Sequence, residues 1–124
     1  MKTLKSYTDL EQSKKLAEIL PIESADMVYI KHSSSDNPSW RFDDDIPPMI
    51  LGNVPINEMT VEVLPCWSLS ALLSILPKGC SIGRRTTGKY YVCMTNIKHD
   101  ISEFDNPVDA CYEMILKLKE KNLL

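Results

Sequence analysis

The sequence is most informative first in what it lacks. It has four cysteines, Cys66, Cys80, Cys93 and Cys111, with no Cys-x-x-Cys pair among them and two histidines, His32 and His99, in the whole chain. Zinc ligands and disulfide frameworks come in closely spaced sets, so scattered thiols of a reducing compartment are the expectation, with no metal and no other cofactor. No apolar run approaches the ~18 residues of a membrane span, and the opening MKTLKSYTDLEQ has no apolar leader core. These absences point to a cytoplasmic protein that does not enter the membrane.

Acids are missing too, but locally. None occurs between Val63 and His99, a stretch that carries Lys78, Arg84, Arg85, Lys89 and Lys98, whereas residues 23 to 62 hold eight acids against Lys31 and Arg41. The net charge of −3 conceals an acidic part followed by a basic ribbon. Such a ribbon can touch phosphates or an acidic partner, or face the chain's own acids.

What is present is ordinary globular material, 44% hydrophobic and 25% charged over 124 residues. A chain of this length buries roughly 65% of its unfolded surface, enough for one core, so residues 1–124 are expected to form a single domain. In "TDLE" a capping box is expected from Thr8 and Glu11, opening a first helix over 8–20 whose inner face is Leu10, Ser13, Leu16, Ala17 and Leu20, closed by Pro21. "MVYIK", 27–31, reads as a strand. From His32 to Pro65 the prolines, Gly52 and the acids Asp43 to Asp45 predict mostly surface loop, with a short strand near 59–63.

A second helix follows Ser68, its expected cap. Leu69, Leu72, Leu73 and Leu76 form one face, while Ala71 and Ile75 make the other apolar too, which predicts a core helix ending at Pro77. "CSIGRR" and "KYYVCMT" flank "TTG", which predicts a hairpin over 80–95 with Gly88 at the positive φ of the turn. The last helix is expected over 106–121, with Asn106 as cap, Pro107 in the first turn and Val108, Cys111, Tyr112, Ile115 and Leu118 inward. The fold class is α+β, three helices packed on a small antiparallel sheet that includes the hairpin.

Several chemical motifs can be weighed on mechanism. "GRRTTGKY", 83–90, has the Gly-x-x-x-x-Gly-Lys spacing of a phosphate loop. Such a loop joins a strand to a helix and needs a Ser or Thr after the Lys for magnesium. Here a helix precedes, a strand follows and Tyr90 occupies the hydroxyl position, so a hairpin turn is expected and no nucleotide. Cys66 stands before a helix, where its thiol could be acidified, but catalysis would need His32 or His99 beside it. Asp43, Asp44 and Asp45 with Glu58 or Glu62 could gather a cation, yet consecutive acids lack the alternating spacing of a calcium loop. Trp40, Phe42, Tyr90 and Tyr91 lie near cations, as in single-strand nucleic-acid platforms. The acidic chain and its few clustered cations disfavour nucleic acid and suit a protein interface instead.

"LEQSKKLAEIL" with "SADM", "PCWSLSALLSILP" and "DNPVDACYEMILKL" resemble uncharacterised small proteins encoded by phages and mobile elements of gut bacteria. The match is weakest from 32 to 57. The resemblance brings no reaction, cofactor or site residue; it implies a setting in which accessory and host-interaction proteins are common. The expected function is therefore a non-enzymatic module that recognises a protein partner through Trp40, Arg41 and Phe42, with Arg84 and Arg85 of the hairpin. The alternative is a small enzyme or ligand binder that uses Cys66, His32 or His99 with the acidic loop.

Overall fold

A computed structural model describes residues 5–32, 39–43, 61–95 and 102–124. The fold is α+β, with three helices and antiparallel sheets of three and of two strands among the described residues. The chain divides into two compact units, Asp9–Ser68 and Met1–Thr8 with Leu69–Leu124.

In the first unit, α1 spans Leu10–Ala17. Its capping box is one residue later than "TDLE" suggests. The Asp9 carboxylate accepts from the Gln12 amide at 2.8 Å, and the Gln12 side chain accepts from the Asp9 amide at 3.2 Å. Asp caps at least as well as Thr, and this start turns Ser13 and Leu16 inward while Ala17 stays exposed. Thr8 is buried outside the helix. After a short 3-10 turn at Ile22–Ser24, β1 runs Met27–His32 at the centre of a sheet ordered β2-β1-β3, with β2 at Arg41–Asp43 and β3 at Val61–Cys66.

Both neighbours pair antiparallel to β1, and β3 carries α1. Val28, Tyr29 and Ile30 are all buried, so the central strand is covered on both faces. Two features depart from the sequence reading. A strand forms within the expected loop, at 41–43. The expected short strand at 59–63 is described from Val61, and it continues past 63 through Pro65 to Cys66. An edge strand tolerates proline because only alternate N–H groups bond inward.

The segment after β3 is tied back to the turn before β1. Trp67, fully buried, donates its indole N–H to the Ser24 hydroxyl at 2.9 Å, and that hydroxyl donates to the Pro21 carbonyl. Asp26 accepts from the Ser68 amide at 2.9 Å and from the Ser68 hydroxyl.

In the second unit, α2 spans Leu69–Ile75, β4 Cys80–Arg84, β5 Tyr90–Met94 and α3 Pro107–Glu120. The hairpin is as expected, with Gly88 at φ 89°, and it forms a two-stranded sheet of its own. α3 packs on both β5 and α2. Asn106 accepts from the Asp109 amide at 2.9 Å, Pro107 opens the first turn, and Lys5 bonds Asp109 at 2.9 Å. Val108, Ala110, Cys111, Met114, Ile115 and Leu118 are buried, which makes α3 the main core helix of this unit. α2 is less buried than its leucines suggest: Leu72 is fully buried, but Leu73 is 41% exposed. A seven-residue helix has one packed face, and Ala71 and Leu72 occupy it.

The loop expected over 44–60, with Asp44, Asp45 and Glu58, lies outside the described residues, as do 33–38, Lys98 and His99.

Candidate functional site

Trp40, Arg41 and Phe42 come together on and beside β2, in the unit Asp9–Ser68. The register sets Phe42 opposite Tyr29 and Arg41 opposite Ile30. Side chains alternate along strands, so Phe42, Tyr29 and Leu64 form one cross-strand row, and Lys31 and Glu62 belong to the next row on the same face. Phe42 meets Tyr29 edge to face, with ring centroids 6.0 Å apart. The Lys31 ammonium sits 5.0 Å from the Trp40 ring centroid and 2.9 Å from the Glu62 carboxylate. Trp40 is thus half-exposed and backed by a cation that is itself neutralised, while Arg41 beside it is exposed.

Arg84 and Arg85 lie at the tip of the β4–β5 hairpin, in the other unit. Arg84 lies over Tyr90, 5.7 Å from its ring centroid, and Arg85 over Tyr91 at 4.7 Å. Arg85 also bonds Glu103 at 2.7 Å, and Lys89 bonds Asp105. That hydrogen bond, together with the Asp105 charge, raises the Lys89 ammonium above its ordinary pKa. The basic ribbon therefore meets the chain's own acids at 103 and 105, just beyond it, and Arg85 and Lys89 are engaged there. "GRRTTGKY" is the end of one strand, a turn and the start of the next, with the Arg85 amide bonded to the Lys89 carbonyl at 2.7 Å.

Two of the thiols, Cys66 and Cys111, are buried, and Cys80 and Cys93 are half-buried. All four cysteines are free, and Cys66 is fully buried at the end of β3. In the β1–β3 ladder Cys66 pairs with Met27, whereas His32 pairs with Val61 at the far end. Five residues of strand, about 16 Å at roughly 3.3 Å each, separate Cys66 from His32 along the ladder. Burial pushes the Cys111 thiol up to about 11 and raises Cys80 as well. Neither is activated as a nucleophile. Among the described residues no group of three or more His, Cys, Asp or Glu could hold a metal ion, and no helix is long and apolar enough to cross a membrane.

Three residues near these surfaces were not among the expected site residues: Tyr29, Lys31 and Glu103. The alternation in "MVYIKH" does place Tyr29 and Lys31 on one face, but nothing local in the sequence shows which strand brings the aromatics to them. No family model, curated protein or solved structure matches this chain.

Proposed function

We propose that this protein is a non-enzymatic interaction module of the cytoplasm that binds a protein partner through Trp40 and Arg41 at the start of the edge strand β2, with the Arg84–Arg85 hairpin tip as a second, basic contact. One observation carries the reading. A half-exposed tryptophan just before β2 and an exposed arginine that opens it project from opposite faces of one sheet edge, and the next residue, Phe42, packs on a buried tyrosine. Trp and Arg are the residues most enriched at binding hot spots, and a strand pinned from behind presents them with little ordering cost. The Lys31–Glu62 pair under Trp40 limits its freedom further. Four free cysteines agree with a reducing compartment. The resemblance to uncharacterised small proteins of phages and mobile elements, a setting in which accessory and host-interaction proteins are common, supports the same reading.

The test is direct. A partner captured from the native cell is purified and titrated against wild-type protein, Trp40→Ala and Arg41→Ala. Each substitution is expected to weaken binding about tenfold or more while leaving the melting temperature nearly unchanged. Undiminished affinity in both variants would remove β2 from the binding surface.

A further inference from the structure

Among the described residues, the hairpin has one occupied edge and one open edge. In an antiparallel pair, residues alternate between those whose N–H and C=O point at the partner strand and those whose groups point away. The Arg85 amide bonds the Lys89 carbonyl, and the Thr95 amide bonds the Gly79 carbonyl. With Arg84 opposite Tyr90 and Ile82 opposite Val92, this parity turns Ser81 and Gly83 inward and Ile82 and Arg84 outward on β4. The same parity holds on β5: the outward Tyr90 exchanges both of its hydrogen bonds with Phe104, at 2.7 and 2.8 Å. On β4, among the described residues, nothing pairs with the outward N–H and C=O groups of Ile82 and Arg84.

Side chains and charge narrow the occupant. Ile82 is 37% exposed, Arg84 is exposed at one end of the strand, and Lys78 is exposed just before the other end. Arg85 and Lys89 are answered by Glu103 and Asp105. A second copy added antiparallel about Ile82 would set Arg84 of each chain opposite Cys80 of the other and diagonal to its Lys78, a like-charge neighbour that disfavours the pairing. An extended acidic segment meets no such repulsion. We propose that the outer edge of β4 takes an extended, acidic segment of a partner protein as a third strand, pairing main chain with Ile82 and Arg84. An apolar side chain would lie beside Ile82, with a carboxylate two positions away beside Arg84. This deepens the interaction reading by giving the hairpin contact a partner of stated form and charge, and it does not involve Trp40.

The probe is a fluorescein-labelled synthetic peptide of repeating Thr-Val-Thr-Glu, with a Lys-for-Glu version and a version methylated on alternate backbone nitrogens. The acidic peptide is expected to bind, to shift the Ile82 and Arg84 amide signals in nitrogen-15 NMR, and to lose affinity with salt. Ile82→Pro removes only an outward N–H and should weaken binding about tenfold or more. Arg84→Glu, at an exposed side chain, should reverse the preference toward the Lys peptide, and it remains informative if Ile82→Pro does not fold. Trp40→Ala should bind the peptide as wild type does. Equal affinity for both charges, full affinity of the methylated peptide, or no binding would overturn the proposal and leave the Trp40 surface to its own titration. Self-association abolished by Ile82→Pro, without peptide binding, would overturn it in favour of a second copy.

Discussion

The Tyr91 ring lies directly across Gly83, so close that a β-carbon at position 83 would stand 2.5 Å from its Cζ and Oη atoms. The glycine therefore makes room for the tyrosine, whose other neighbour is the Arg85 guanidinium, itself bonded to Glu103. Gly83→Ala is expected to displace the ring and cost about 1–2 kcal/mol. In a double-mutant cycle with Tyr91→Ala the two losses should be clearly less than additive, because removing the ring removes the clash. Full additivity in urea melts would show that the two positions are uncoupled.

Trp40 and Phe42 should respond differently to truncation. Phe42 packs on the buried Tyr29, so Phe42→Ala is expected to cost about 1–3 kcal/mol in cavity and lost edge-to-face contact. Trp40 loses chiefly its contact with Lys31, worth about 0.5–1 kcal/mol at an exposed site. Thermal melts of the two single variants check this, and equal losses would make Trp40 a structural anchor.

Leu72 and Leu73, adjacent on α2, give a second contrast. Leu72→Ala should cost about 2–5 kcal/mol because its side chain is wholly buried. Leu73→Ala should stay within about 0.5 kcal/mol. Chemical denaturation distinguishes them, and a large loss at Leu73 would contradict the exposure of that face.

The Cys111 thiol has its pKa raised by burial from 9.0 to about 11. Its neutral form is favoured by folding, so the contribution is fully present below about pH 9 and is lost as pH rises toward 11. Stability of the wild type should fall over that window more steeply than stability of Cys111→Ala, which lacks the titrating group. Parallel urea-melt profiles would refute the shift. In the folded protein at neutral pH, Cys111 should also resist iodoacetamide.

Much of the fold was legible because its signals are local. Asn106 and Pro107 fix the start of α3, Gly88 fixes the hairpin turn, and Pro21 and Pro77 stop the chain segments before them; each acts through its own backbone within a few residues. The periodicity of α3 likewise named its buried face. Where two local answers were nearly equal in energy, the sequence alone did not choose: Thr8 with Glu11 and Asp9 with Gln12 both satisfy the capping pattern, and only the inward turn of Ser13 and Leu16 separates them.

Tertiary structure decided the rest. β2 is three residues long and has no pattern of its own; it exists because β1 offers a ladder partner and Tyr29 offers a ring. The exposure of Leu73, the distance along the ladder from Cys66 to His32, and the pairing of Arg85 and Lys89 with Glu103 and Asp105 likewise depend on which segments come together. Helix caps and turns are settled by hydrogen bonds a few residues long, which the sequence contains. Burial, strand pairing and the neutralisation of a charged ribbon are set by contacts between residues far apart in the chain, and folding alone brings those together.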